Sequence, residues 1–235
     1  MPTGQWWNAL IAAASDLAFG RTCAGCGTAP GATLCDICRA DLLGPASPPR
    51  EVPGTTGLRV VAAAAYAGAA GTIVVQHKER GRLGLSRPLG EALAVAVTAL
   101  AAGDSCPNHK HQAVVMVPVP SRPSSTRARG HDPVLRMTRR AASVLRRSGA
   151  EATVVTGLRH VRGVADQAGL GRVRRETNLH GAMAVRGLAR RLLAGHCVVL
   201  VDDVMTTGAT LREAARALAV ADSAPCGAAV VALAA

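Results

Sequence analysis

Residues 198–210 read VVLVDDVMTTGAT. Four aliphatic residues run into two adjacent aspartates, Asp202 and Asp203, then through Val204 and Met205 into a turn of Thr206, Thr207, Gly208, Ala209 and Thr210. The aliphatic run has the character of a buried strand, and from Leu211 the apolar positions 211, 214, 215 and 218 keep helical spacing. The Thr/Gly turn therefore lies between a strand and a helix N-terminus. Such a turn is an anion site: main-chain N–H groups at the helix start and the hydroxyls of Thr206, Thr207 and Thr210 surround a phosphate, while Gly208 permits close approach. Two carboxylates beside such a cradle would repel the same anion. They make sense when the ligand is a phosphorylated sugar, whose hydroxyls donate to the acids or whose oxygens share a Mg²⁺ with them. No Gly-Lys-Ser/Thr follows the strand, which excludes a Walker-type loop.

Outward from this stretch, strand-like runs alternate with helical ones. RVVAAAAY (59–66), AVVMVPVP (113–120), ATVVTGL (152–158) and the terminal GAAVVALAA (227–235) read as strands. PLGEALAVAVTALAA (88–102) reads as a helix ending at Gly103, and RARGHDPVLRMTRRAASVLRR (127–147) as a basic helical stretch. GTIVVQHKERGRL (71–83) reads as a turn into a basic segment. This alternation predicts an α/β fold, a parallel sheet flanked by helices. A length of 235 residues with 49% apolar residues allows one good core with a small appendage, or at most two domains.

Near the N-terminus, Cys23, Cys26, Cys35 and Cys38 form CxxC-x8-CxxC. Two such knuckles bring four thiolates within reach of one tetrahedral ion, so the spacing predicts a structural Zn²⁺ with no open coordination position. Two disulfides are the competing reading; a reducing cytoplasm disfavours it. GPASPPREVPGTTG (44–57) has a linker's composition. The expected organisation is an N-terminal helix and zinc module over 1–48, a linker over 49–58, and the α/β domain over 59–235.

Lys and Arg outnumber Asp and Glu 27 to 15, a formal charge of +12 that favours anionic partners, although the Arg, Ala and Gly bias accounts for part of it. Aromatic residues make up 2% of the chain, too few for stacking platforms that hold single-stranded bases. ALIAAA (9–14) is too short for a signal core or a membrane span, so the chain is expected to be cytoplasmic; WWNALIAAASDLAFG (6–20) reads as a docking helix.

The order of four aliphatic residues, two acids, two apolar residues and TTGAT resembles the phosphoribosyl-pyrophosphate signature of type I phosphoribosyltransferases. Together with the four-cysteine module, VPVP (117–120), RARGH (127–131) and QAGLGRVRRETNLHGAM (167–183), the whole chain is similar to the ComF family of competence-associated, phosphoribosyltransferase-like proteins. Gln167, Leu170, Arg175, Asn178 and Leu179 fall on that family's pattern. The chain departs from it at His131, Asp132 and Pro133, where an aromatic, an Asn and a Gln are usual, and at Val164, where a Thr is common.

The resemblance implies binding of 5-phosphoribosyl 1-pyrophosphate with Mg²⁺ and transfer of the phosphoribosyl group to an acceptor. Asp202 and Asp203 would then be the catalytic acids, and residues 204–210 the phosphate turn. Residues 118–121, with Pro120 and Ser121, would meet the pyrophosphate. Lys78 and Arg80 would reach it from the side, and Arg159, Arg162, Arg172, Arg174 and Arg175 would flank a hood. The rival reading is a non-catalytic protein that keeps the fold and handles single-stranded DNA or docks on DNA-uptake proteins. Residues 122–147 hold eight arginines and a single acid, Asp132, a charge that suits phosphate contacts without base readout.

Overall fold

A computed structural model describes residues 22–28, 33–45, 50–52, 55, 57–102, 113–161 and 179–234. The docking helix expected at 6–20 and most of the expected hood lie outside these residues.

In chain order the elements are α1 (Asp36–Leu42), β1 (Arg50–Glu51), β2 (Arg59–Ala65), α2 (Gly68–Glu79), a 3-10 turn (Leu83–Leu85), α3 (Ser86–Ala102) and β3 (Val114–Pro118). Next come α4 (Pro123–Arg129), α5 (Pro133–Arg147), β4 (Ala152–Val154), β5 (Leu158–His160) and β6 (Met183–Val185). The chain then forms α6 (Gly187–Leu193), β7 (Cys197–Met205), α7 (Ala209–Ala219) and β8 (Gly227–Leu233). Six strands build the main sheet in the order β1-β2-β8-β7-β3-β4, while β5 and β6 form a separate antiparallel pair. Every pairing in the main sheet is parallel except β1 with β2, so the predicted parallel α/β architecture is what the chain adopts.

The parallel strands are apolar on both faces because both are covered. Val61, Ala63, Val114, Met116, Val199 and Val201 pack under α2, α3 and α5. Val60, Ala62, Val115, Val117, Val198 and Leu200 pack on the other face, under α6, α7 and the β5–β6 pair. Within the stretch expected as a linker, β1 forms the sheet's edge and Val52 is completely buried. Cys23, Ala24, Cys38 and Leu42 of the cysteine module belong to the same core cluster as the first face of the sheet.

Two local readings differ from the structure. Residues 68–79 form a helix, not a turn, because Ala70, Ile73, Val74 and His77 at i, i+3, i+4 and i+7 are all buried. Tertiary packing there overrides the weak helix propensity of Thr72, Ile73, Val74 and Val75. The basic stretch is two helices: Gly130 stops α4 at φ 72°, and α5 restarts with Pro133 at its first turn and Asp132 as N-cap, whose Oδ1 accepts from the Leu135 N–H at 3.1 Å.

The segment Leu83–Ala102 is long and apolar enough to cross a membrane, but most of it is buried inside the fold. Its contact with α5 is close: a Cβ at Gly90 would lie 2.4 Å from the Arg140 Cβ and 2.9 Å from the Met137 carbonyl oxygen. Gly90→Ala should therefore destabilise the protein by about 2 kcal/mol, although alanine favours helix by about 1 kcal/mol, because backbone cannot yield cheaply. Urea denaturation of the two proteins measures it; an unchanged or raised midpoint would show that α3 and α5 can separate.

Candidate functional site

The chain leaves β3 toward β4 on one side of the sheet and leaves β7 toward β8 on the other. Strands β3 and β7 are neighbours, so their C-terminal ends flank a topological switch point, where open α/β sheets place ligands. The Val119 N–H donates to the Val201 carbonyl at 2.9 Å, and beyond this last rung the 120–121 loop and the 202–210 turn diverge on either side of the crevice.

Alternation along β7 separates the acids. Val199 and Val201 face α3 and α5; Asp203 follows them to that side and is 6% exposed. There it meets α2: Lys78 Nζ lies 2.6 Å from Asp203 Oδ2. Its Oδ1 accepts from the Val204 N–H at 2.8 Å. Asp202 follows Val198 and Leu200 to the α7 side and accepts the Asp203 N–H on Oδ1 at 2.8 Å. Burial and the neighbouring Asp203 charge push the Asp202 carboxyl well above the usual carboxylate range, against the pull of Lys78. Burial works against the Lys78 ammonium, yet Asp203 and Asp202 together hold its pKa above the ordinary lysine value.

Downstream, Val204 is half-buried, Met205 is buried, Thr206 is exposed, and Thr207 and Thr210 are half-buried. Gly208 at φ 73° lets the chain turn sharply into α7, whose first N–H groups have no carbonyl partner within the helix. The Ala209 N–H reaches Thr207 Oγ1 at 3.4 Å.

The loop on β3 is held from two sides. His160 Nε2 donates to the Pro120 carbonyl at 3.0 Å, and Ser121 Oγ donates to Asp132 Oδ1 at 3.1 Å. Asp132, the unexpected acid of the RGHDP stretch, thus caps α5 and anchors this loop with the same oxygen. Arg159 is exposed on β5, on the face opposite to the one His160 turns to Pro120. Arg80 is exposed just beyond α2, and Arg175 lies outside the described residues.

Sequence reasoning missed His160 and Glu213. The first carried no motif; the second sits among ordinary helix positions. Glu213, 3% exposed, accepts from Met183 N–H at 2.8 Å and Gly181 N–H at 3.1 Å and is paired twice by Arg216, fastening β6 to the helix that begins at the threonine turn. Burial alone would raise its pKa; Arg216 and the two N–H groups outweigh burial and depress it. A cavity of about 540 Å³ runs along α7, lined by Leu58, Ala209, Arg212, Arg216 and Pro225 among others. Neither Asp202 nor Asp203 lines that cavity, so the site follows from the strand ends and not from this hollow.

Residues 140–235 match the phosphoribosyl transferase domain. The match takes in most of α5, strands β4 to β8 and the whole acid-threonine turn, and leaves β2, β3 and the cysteines outside it. No curated protein matched the chain. The molecule is thus a mostly parallel α/β sheet whose C-terminal part, residues 140–235, matches a phosphoribosyl transferase domain, with a four-cysteine cluster near the N-terminus.

In that cluster the four Sγ atoms lie within 4.8 Å of one another. Cys23 Sγ is 3.7 Å from Cys35 Sγ, and Cys26 Sγ 3.9 Å from Cys35 Sγ, close to the roughly 3.8 Å edge of a tetrahedron with about 2.3 Å Zn–S bonds. The Gly25 and Cys35 N–H groups donate to Cys23 Sγ at 3.4 and 3.3 Å. Burial and the adjoining thiols push Cys38 up to about 12, a penalty on its thiolate that a bound dication would offset. The donor set therefore fits a thiophilic dication such as Zn²⁺. The purified protein should carry about one zinc per chain, and Cys35→Ser or strong chelation should release it and lower the melting temperature by roughly 10 °C. Elemental analysis beside a melting curve checks both; a metal-free protein of unchanged stability would refute the assignment.

Proposed function

We propose that this chain binds 5-phosphoribosyl 1-pyrophosphate as its Mg²⁺ complex and transfers the phosphoribosyl group to an acceptor nucleophile. One observation carries the reading: a strand-end acid pair and a threonine-rich helix start share a switch point with a second, braced loop. The 5′-phosphate is assigned to the helix start, where Thr206 and Thr207 immediately precede the first N–H groups of α7. Asp202, half-buried on the α7 side, is the acid assigned to the ribose hydroxyls. Pro120 and Ser121 border the pyrophosphate side. A Mg²⁺ that keeps several waters and is held mainly by substrate oxygens suits a site with one carboxylate not paired with lysine, and it would neutralise the leaving pyrophosphate.

Displacement at C1′ builds positive charge on the sugar and negative charge on the leaving group, so the protein contributes position and fixed charge more than a strong base. Asp202 sits where an oxocarbenium-like sugar gains from a nearby carboxylate. His160 and Asp132 keep the β3 loop from drifting as charge moves onto the pyrophosphate. The reducing cytoplasm is the compartment in which a thiolate zinc cluster persists.

Calorimetry with phosphoribosyl pyrophosphate and Mg²⁺ should show binding that the double variant Asp202→Asn, Asp203→Asn weakens at least about tenfold, the effect of losing charge-assisted hydrogen bonds. An unaltered isotherm rejects the site. Pyrophosphate release over a panel of nucleobases then reads turnover.

A second reading has its own observation. Helix α5 carries no acid within its span and exposes Arg139, Arg140, Arg146 and Arg147. Such a face suits a phosphodiester backbone. Single-stranded DNA should be retarded in gels at low salt, and Arg139→Glu with Arg140→Glu should flatten the salt dependence by about 0.7 per arginine; no retardation at low salt rejects this reading.

A further inference from the structure

Three consecutive residues at the C-terminal end of α2 are each tied down, His77 locally and the next two across the fold. His77, 2% exposed, holds its Nδ1 3.3 Å from the Arg82 carbonyl. Lys78 reaches Asp203. Glu79 Oε1 takes Arg129 Nη2 at 2.8 Å, from the last turn of α4. The cysteine module braces the same region, since Arg82 Nη2 donates to the Thr22 carbonyl at 2.8 Å and Arg39 pairs with Glu91 on α3. A flexible lysine stem is thereby delivered to one place at the crevice. Its side chain is 37% exposed there, against 9% for the Asp203 side chain it touches.

The two acids are therefore not equivalent. Asp203 has one oxygen on the Val204 N–H and the other in an ion pair with the ammonium, and its side chain is 9% exposed, so burial and the lysine leave a ligand little access to it. Asp202 has one oxygen on main chain and turns its side chain to the phosphate-turn side. We infer that Asp203 is a positioning residue that holds Lys78 as the pocket's resident cation, and that Lys78 lets a sugar phosphate bind beside the acid pair without a divalent ion. This rests on the sugar-phosphate reading above and deepens it. An ammonium with three donors spends one on Asp203 and keeps two for sugar or phosphate oxygens. It also cancels one of the two charges that would otherwise repel the incoming phosphate. Divalent metal is then required by the pyrophosphate, not by the phosphoribosyl part.

The test uses the full-length, zinc-loaded chain and two probes, inorganic phosphate and ribose 5-phosphate, titrated in buffer freed of divalent ions and again with Mg²⁺. The unmodified protein should bind ribose 5-phosphate without Mg²⁺, its affinity rising no more than about threefold when Mg²⁺ is added. Lys78→Met should lose about tenfold for ribose 5-phosphate in the ion-free buffer, the effect of one charge-assisted hydrogen bond, and recover most of it with Mg²⁺. Lys78→Arg should stay close to the unmodified protein, and Asp203→Asn, which releases the lysine, should behave like Lys78→Met. That second variant decides the matter if Lys78→Met fails to fold. Equal affinities for Lys78→Met and the unmodified protein, an equal loss with and without Mg²⁺, or an absolute Mg²⁺ requirement in the unmodified protein would each overturn the inference. Failure of the unmodified protein to bind either probe, with or without Mg²⁺, would instead overturn the sugar-phosphate site itself.

Discussion

The pleat of β7 decides how this molecule works. Side chains of adjacent strand residues leave on opposite faces, so two consecutive carboxylates cannot serve one ligand in the same way. One acid is sent to the side of α2, where an ammonium covers it; the other is sent to the side of α7, beside the threonine turn. This separation requires a sheet buried on both faces, because only then does the strand end carry a helix on each side to supply different chemistry. The crossing of the chain at β3 and β7 places the second loop alongside.

The cysteine module takes part in this arrangement through the core. Gly25 packs so closely on Cys38 and Ala69 that a Cβ would come within 2.6 Å of the Cys38 Sγ and 3.1 Å of the Ala69 Cβ. The knuckle is thus seated on the N-terminal half of α2, the helix whose other end carries Lys78. A metal that rigidifies four cysteines also fixes the base from which that helix projects, even though no coordination position is left for chemistry.

Much of this was legible in the sequence, for identifiable reasons. The aliphatic run, acid pair and Thr/Gly turn appear in consecutive residues, and their order alone places them at a strand end before a helix. The four cysteines declare themselves by spacing. Helix α2 was hidden because its β-branched centre argues against helix locally, although the i, i+3, i+4, i+7 burial pattern was present in Ala70, Ile73, Val74 and His77. Ties such as Lys78 to Asp203 or His160 to Pro120 span 125 and 40 positions, and no periodicity reports contacts of that range. The role of Asp132 was equally opaque: only the folded chain brings its carboxylate to both a helix start and Ser121.

The β5–β6 pair has one more consequence. The Val161 N–H donates to the Ala182 carbonyl at 2.9 Å, so the chain that departs after β5 returns to the same hydrogen-bonded neck before β6. The neck joins the two ends of residues 162–178 directly, so a change of length between them leaves the register of the sheet and of the threonine turn as it is.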